Sequence, residues 1–203
     1  MICKLLDSST RFFLDNSTGN NRKGLWLSNV GMNEDAKLSL IGFHAFTGND
    51  YVSSFFRKGK AVCWKVVEKN PRFLQAFKAL GLAWDLMPAI YEVLEEYVCY
   101  LYGSKKRKVN EARHQMFQRK YDNENKIVDL SSLPPCQSVL YLHTSRAHFV
   151  AKVWKSANDH QLEFPTLSDH GWTDMCEIIW MTRHEQDMDY LCIFDKLITT
   201  TYC

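Results

Sequence analysis

Helical periodicity between residues 86 and 102 constrains the fold of this chain more than any other sequence feature. Apolar side chains recur there at spacings of three and four and form a single stripe: Leu86, Ile90, Val93, Leu94, Tyr97, Val98 and Leu101. Three acids, Glu92, Glu95 and Glu96, fall outside that stripe. The pattern therefore predicts an amphipathic helix whose apolar face excludes these three acids.

Four further segments carry helical signals. Asn70-Pro71 supplies a capping residue and a first-turn proline for a helix over residues 72–80. Apolar spacing predicts two more helices, over 109–121 and 136–157. Asn33, followed by two acids, predicts the beginning of another helix, because acids stabilise a helix N-terminus. Helix is thus the dominant predicted structure.

Residues 10–30 have a different pattern. Two short apolar runs, Phe12–Leu14 and Leu25–Leu27, flank a polar segment rich in asparagine and glycine, which is typical of a β-hairpin. A lone hairpin is marginally stable in water, so these strands need a partner sheet or helices. The predicted fold class is therefore α+β and mostly helical, with an N-terminal β-hairpin and a C-terminal helical region.

The predicted elements divide the 203 residues into four regions. Residues 1–40 hold the hairpin and a lead-in helix, and residues 41–121 form a helical region. Residues 122–135 are polar, end in two prolines and are interpreted as a linker. Residues 136–203 form the C-terminal helical region.

Composition restricts the class of protein. Hydrophobic residues make up 46% and charged residues 24%, which is ordinary for a globular protein and argues against disorder. The seven cysteines are scattered and contain no CxxC pair, so we expect a reducing, intracellular location, nuclear or cytoplasmic. No apolar run approaches the roughly 20 residues that a membrane span needs, and we expect no membrane partner.

The net charge of +2 conceals two basic segments. Residues 57–78 contain seven cations and one acid, and residues 105–120 contain the same numbers. Grouped cations of this kind bind phosphates, but solvated helix faces have the same composition. Both interpretations stay open at this point.

Residues 42–60, GFHAFTGNDYVSSFFRKGK, place a carboxylate close to a basic glycine turn. The apolar part of this stretch ends in Gly-Asn-Asp-Tyr, where the aspartate is Asp50. Nine residues later, Gly59 is flanked by Lys58 and Lys60. This combination is the strongest functional signal in the chain.

Through these residues the chain resembles the flap-endonuclease-like (PIN-like) 5′ nucleases. In that family an apolar element ends in Gly-x-Asp-Tyr and enters a helix–hairpin–helix turn; its aspartate is one of several metal-binding carboxylates, and its glycine turn grips the DNA backbone. The resemblance implies that Asp50 is a metal ligand. It also implies that Gly59, Lys58 and Lys60 form a DNA-binding turn, followed by a helix over 61–67.

A closer resemblance covers about residues 10 to 190. The segments HAFTGNDYVSSFFRKGK, VNEAR (109–113) and HGW (170–172) are similar to mobile-element-associated invertebrate proteins with a degenerate or truncated nuclease domain of this type. This resemblance implies that residues 1–40 are a remnant of a nuclease-like domain. It implies a helix–hairpin–helix-like arrangement within residues 41–121.

Two positions depart from the family pattern. Arg57 stands where the hairpin turn usually has a second glycine, and Asn49 replaces a small residue or cysteine. Two-metal hydrolysis needs cations about 4 Å apart held by several carboxylates. Asp50 alone cannot supply these ligands, so the metal site is incomplete. We therefore expect a catalytically incomplete protein; if it were active, it would be a Mg²⁺-dependent, structure-specific nuclease.

Three histidines, His44, His143 and His148, are possible components of a metal site. His44 is a candidate to support a metal ion at Asp50 from the second ligand layer, but a hydrogen-bonded, partly buried histidine is the alternative. Asp50 itself has the alternative role of a helix cap. His143 and His148 are five residues apart and so fall on different helix faces, which argues against a metal pair.

The leading functional hypothesis is DNA binding. Turn amides, a helix N-terminus and cations would contact the phosphates of duplex or branched DNA, without reading sequence. The predicted nucleic-acid-binding residues are Arg57, Lys58, Gly59, Lys60 and Lys65, with a second contact over 105–113. The alternative is a helical protein–protein interaction or structural module, in which a partner or a second copy completes the sheet.

Overall fold

Helices build the part of the chain that the structure describes. The structure is a computed structural model, and it describes residues 13–15, 24–26, 32–124, 129–159 and 163–172. The α-helices in these ranges are α1 (Glu34–Phe46), α2 (Lys60–Glu68), α3 (Pro71–Ala79), α4 (Pro88–Leu101), α5 (Val109–Glu124) and α6 (Gln137–Lys155). Short 3₁₀ turns occur at Leu130–Ser132 and Leu167–His170, and strands at β1 (Phe13–Asp15) and β2 (Gly24–Trp26).

The local signals for helix boundaries are confirmed at two helices. The Asn33 side chain accepts a hydrogen bond of 2.8 Å from the Ala36 amide and so begins α1. The Asn70 side chain accepts a hydrogen bond of 3.0 Å from the Arg72 amide, and Pro71 is the first residue of α3. In both cases the cap uses a donor that the first helical turn would otherwise leave without an acceptor.

An aromatic cluster holds the helices together. The Phe46, Phe77 and Tyr97 rings come from α1, α3 and α4, and all three are fully buried. The centroids of Phe77 and Tyr97 are 5.0 Å apart at an interplanar angle of 87°, and Phe46 contacts both rings edge to face. Edge-to-face pairs place a positive ring edge on a negative ring face, which adds to the apolar burial.

Helix α1 lies mainly against α3 and α6. It approaches α3 closely at Gly42, where an added Cβ atom would stand 2.2 Å from the Phe77 carbonyl oxygen. A side chain at position 42 would therefore force the two helices apart. Helix α2 packs against α3 and α4, so the connection between α1 and α2 lies at one side of the bundle.

Two buried histidines attach α6 to its neighbours. His143 Nε2 is 2.8 Å from the Phe46 carbonyl, which can only accept, so Nε2 donates and Nδ1 is left to accept from Ser53 Oγ at 3.3 Å. His148 Nδ1 accepts from the Gly81 amide at 3.1 Å, and its Nε2 donates to the Ala83 carbonyl at 2.8 Å. Both rings are therefore neutral, and they contact different elements, as their spacing predicted.

The predicted α+β class is wrong. Helix–helix contacts build the core, and β1 and β2 are only three residues long, with Phe13 opposite Trp26 in an antiparallel pair. A ladder of this length cannot form a layer against which helices pack. The N-terminal β-hairpin therefore does not contribute a sheet to the core, and the described chain is mostly helical.

The expected helix–hairpin–helix arrangement within residues 41–121 stays a prediction, and the principal neighbours of α1 are α3 and α6. The core includes side chains from both sides of the predicted linker 122–135, for example Phe46 and Phe149. The four-region division of the sequence stays a prediction, and its parts over 1–12 and 173–203 lie outside the described residues. Among the described helices, none is both long and apolar enough to cross a bilayer.

Two of the three acids that lie outside the apolar stripe of α4 are buried. Glu95 is fully buried, and its carboxylate accepts hydrogen bonds from the Val109 amide at 3.0 Å and from Lys108 Nζ at 3.1 Å. Glu96 is also buried and lies 3.4 Å from the Arg72 guanidinium. The stripe at spacings of three and four describes α4 alone and does not show which elements pack on it. The start of α5 covers Glu95, whose carboxylate caps that helix.

Candidate nucleic-acid interface

The connection between α1 and α2 is organised by Asn49. Its Oδ1 accepts from the Tyr51 and Val52 amides at 2.8 and 3.2 Å, and its Nδ2 donates to the Ala45 carbonyl at 3.0 Å. An asparagine side chain that bonds the backbone two residues ahead is a standard turn-forming device. The capping role considered for Asp50 thus belongs to its neighbour Asn49, which also explains the polar residue at this position.

Asp50 is exposed at this turn. Among the described residues, no group of three or more histidine, cysteine, aspartate or glutamate side chains is placed to hold a metal ion. Mg²⁺ requires a near-octahedral shell of oxygen ligands, and one exposed carboxylate beside an imidazole does not supply it. The described surroundings of Asp50 therefore do not fit a Mg²⁺ site, and a metal ion at Asp50 stays a prediction.

His44 is exposed on the last turn of α1. Its ring stacks on Trp154 of α6, with centroids 5.3 Å apart and an interplanar angle of 22°. Partial burial lowers its pKa, as does the charge of Lys60, while the charge of Asp50 raises it. His44 and Asp50 are thus electrostatic neighbours, but the contact that positions the imidazole is the indole of Trp154.

Residues 55–60, which we call the basic turn, follow this connection. The Lys58 amide donates to the Phe55 carbonyl at 3.0 Å, and Arg57 at the third position of this four-residue turn has φ of +54°. A positive φ at that position is the mark of a type II turn, where glycine is preferred. The chain therefore keeps a glycine-like backbone at Arg57, the position at which the resembling family has glycine.

One end of the basic turn is buried in the core and the other is exposed to solvent. Phe55 is buried against Phe46 and His143, with ring centroids 5.4 and 4.9 Å away. Gly59 is exposed, and an added Cβ atom there would meet no atom within 4 Å. The turn is therefore anchored in the core while its tip faces solvent.

Gly59 is also the N-cap of α2 and has no side chain with which to cap it. The Val62 and Cys63 amides both donate to the Gly59 carbonyl. The amides of Lys60 and Ala61 have no acceptor within the described chain, so they are available to an external one. Because the helix dipole is positive at this end, the natural acceptor is an anion.

The predicted cations occupy different environments. Arg57 is exposed, with its guanidinium carbon 4.9 Å from the centroid of the Phe56 ring, and Lys58 Nζ lies 4.8 Å from the centroid of Tyr102. Lys65 is exposed on α2. Contacts with aromatic ring faces hold a cation in place without neutralising it.

Lys60 has a structural role that the sequence pattern did not show. Its Nζ donates to the Gly48 carbonyl, to Thr47 Oγ1 at 3.2 Å and to the His44 carbonyl at 3.5 Å. It therefore caps the C-terminus of α1, where a cation is favourable. Burial lowers the pKa of Lys60. Only its backbone amide is directed to the open end of α2.

Several cations of the second basic segment, residues 105–120, form intramolecular ion pairs or hydrogen bonds. Lys108 binds the buried Glu95, Lys106 lies 3.6 Å from Glu111, and Arg113 donates to the Pro134 carbonyl. Three of the cations in the contact predicted over 105–113 thus have intramolecular partners, and that contact stays a prediction.

One chemically distinctive side chain was not identified from the sequence. Cys136 is the N-cap of α6, and hydrogen bonds from Ser138 Oγ and from the Val139 amide lower the pKa of its thiol. The signal for it was the Pro-Pro-Cys order, which places a cysteine at a helix start. A thiol in this position is more readily ionised than a buried one.

Comparison with known proteins adds no relative. No protein-family model matches the chain, and neither the curated proteins nor the solved structures include a match.

Proposed function

We propose that the chain binds nucleic acid by its phosphate backbone at the basic turn. The observation that carries this proposal is the uncapped N-terminus of α2 at the exposed Gly59, beside the exposed Arg57 and the half-buried Lys58. Two free amides, a positive helix end and two cations are together suited to one or two phosphate groups. The resemblance to flap-endonuclease-like proteins in the same residues supports the same ligand.

The proposal concerns binding alone. Contacts to phosphate carry no base information, so affinity should be similar for oligonucleotides of different sequence. Each phosphate neutralised contributes about −0.9 to the slope of log affinity against log salt on a duplex, so a site of this size gives a slope near −2. We thus expect weak, salt-sensitive binding of duplex and branched DNA.

Charge variants test the cations. Fluorescence anisotropy would compare the parent, Lys58→Gln and Lys69→Gln on a labelled duplex and a flap oligonucleotide over a range of salt concentrations. Lys69 is the matched control, since it is exposed at the other end of α2. Lys58→Gln should reduce the salt slope by about one, and Lys69→Gln should not change it. Equal effects of the two changes, or no binding at low salt, would refute the proposal.

Gly59 offers a test that folding defects cannot imitate. Its φ of −67° and ψ of 156° are those of an ordinary N-cap, and there is room for a side chain. Gly59→Asp and Gly59→Asn should both cap α2 and raise stability by a few tenths of a kcal/mol. Both would occupy the free amides and weaken DNA binding, and the aspartate would do so more strongly. Binding that survives Gly59→Asp in a stable protein would contradict the proposed contact.

A protein–protein interaction module is the second candidate. It is favoured by Val139 and Leu142, which share a face of α6 and are 54% and 42% exposed. Adjacent exposed apolar side chains mark binding surfaces more often than isolated ones do. Sedimentation of the parent and of Leu142→Ser at several concentrations discriminates this candidate: self-association that the substitution abolishes would support it.

A further inference from the structure

A second surface feature lies beside Trp154, the residue on which His44 stacks. It is a cleft of about 400 Å³ between α1, the α3–α4 connection and the C-terminal end of α6. Its apolar wall includes Leu38, Ile41, Leu82 and Trp154. Leu82 is 65% exposed and Leu38 is 44% exposed, so this wall is accessible from solvent. We call it the lysine cleft, because Lys78, Lys152 and Lys155 also line it.

Lys155 is an unusual lysine. Its Nζ donates to the Lys78 and Leu80 carbonyls at 2.7 and 2.6 Å, and so caps the C-terminus of α3. No carboxylate of the described residues lies within salt-bridge distance of it. Burial, with the nearby charge of Lys152, lowers its pKa from 10.5 to about 8. A bound anion would compensate this ammonium more fully than two carbonyl groups do.

The other charges of the lysine cleft leave a cationic excess. Lys78 is paired with Asp35 at 2.6 Å, and Asp159 also lines the cleft. Lys152 Nζ has an aromatic partner, the Trp84 ring, whose centroid is 5.7 Å away. A ring face leaves the ammonium charge uncompensated. The cleft thus combines an apolar wall with two neighbouring lysines, Lys152 and Lys155, whose like charges repel.

We propose that the lysine cleft binds a small amphiphilic anion, an aromatic or medium-chain carboxylate. The volume is within the range of small-molecule sites, which are mostly apolar with a few polar groups that orient the ligand. The apolar body would lie against Leu82 and Trp154, and the carboxylate would reach Lys152 and Lys155. A neutral ligand would leave the lysines uncompensated, and a cation would be repelled. This site is separate from the basic turn and does not depend on the function proposed there.

The ligand pair that tests this proposal is 2-naphthoate and its neutral counterpart 2-naphthalenemethanol, titrated into the full chain by calorimetry. We expect 2-naphthoate to bind at least tenfold more tightly. Equal affinity of the two probes, or binding of neither, would overturn the proposal.

Two variants locate the binding. Lys152→Gln should weaken 2-naphthoate at least threefold and leave the alcohol unchanged, whereas Leu82→Ser should weaken both probes. Lys69→Gln is the control, because Lys69 is exposed on α2 and does not line the cleft. Lys155 is not the test residue, since its loss also uncaps α3. If Lys152→Gln and Lys69→Gln have equal affinities for 2-naphthoate, the assignment of the carboxylate to these lysines is wrong.

Discussion

Acidification should destabilise this protein through the two buried histidines of α6. His143 and His148 are 6% and 1% exposed, and each is held neutral by one donated and one accepted hydrogen bond. Burial lowers the pKa of each from 6.5 to about 4, against a smaller opposing effect of the hydrogen bond to a backbone carbonyl. Protonation would place a second donor where each ring now accepts.

The magnitude follows from the difference in pKa between the folded and unfolded states. Because the folded-state pKa is the lower one, the unfolded chain binds more protons between pH 6.5 and 4, and acid favours unfolding. The stabilisation is complete above about pH 7 and is lost as the pH falls towards 4. One pKa unit corresponds to about 1.4 kcal/mol, so each histidine lowers the free energy of unfolding by about 2 kcal/mol between pH 7 and 5. The pair contributes about 4 kcal/mol, a large part of a typical domain's stability.

Urea denaturation followed by circular dichroism at pH 7 and pH 5 measures this effect. The quantity compared is the loss of unfolding free energy between the two pH values, not the absolute stability. In His143→Gln that loss should be smaller than in the parent by about 2 kcal/mol. The control is His114→Gln, at an exposed histidine of α5. If both variants lose as much as the parent, the buried histidines are not responsible and the reasoning fails.

Two other predictions concern single positions. Arg57 has φ of +54°. Arg57→Gly should raise the unfolding free energy by about 0.5 kcal/mol and Arg57→Val should lower it by about 1 kcal/mol, because a left-handed backbone is costly for residues with a Cβ atom, and most for branched ones. The same urea assay measures the order of the three stabilities. At pH 7.5, iodoacetamide should alkylate Cys136 faster than Cys63, because the Cys136 thiol has a lowered pKa and burial raises that of Cys63. Peptide mass spectrometry measures the rates, and faster labelling of Cys63 would contradict this expectation.

Helices were predictable because their determinants are local. The Asn33 cap acts on an amide three residues away, and the Asn70-Pro71 pair acts within one turn. The stripe over 86–102 depends on spacing alone, and α4 is observed at Pro88–Leu101. Such signals lie within a few residues of the feature that they specify, so a single sequence contains them.

The failures share the opposite property. The two short strands were given too much weight, because apolar alternation does not say whether strands will find a sheet to join. The stripe left Glu95 outside the apolar face without showing that it is buried, because its partners are 13 and 14 residues away at Lys108 and Val109. Phosphate binding by Lys60 stays a prediction, but the sequence did not show that its ammonium contacts the end of α1. In each case the deciding contact comes from another element.

The basic turn shows how local and distant determinants combine. Its shape depends on a local turn at Arg57 and on the anchoring of Phe55 in the core, which the sequence did not reveal. The position at which the resembling family uses glycine does adopt the backbone that glycine favours. The conformation at Arg57 and the partner of each cation were both found only in the tertiary structure.

Lys60 gives the basic turn its electrostatic character even though its ammonium is used elsewhere. The last carbonyls of α1 carry the negative end of a helix dipole and lie beside the N-terminus of α2, whose positive end would attract phosphate. Without Lys60 these two fields would partly cancel. By capping α1, Lys60 offsets the negative end, so that it opposes the positive N-terminus of α2 less. The contribution that we expect from Lys60 to the proposed anion binding is therefore electrostatic and indirect, through the carbonyls that it covers.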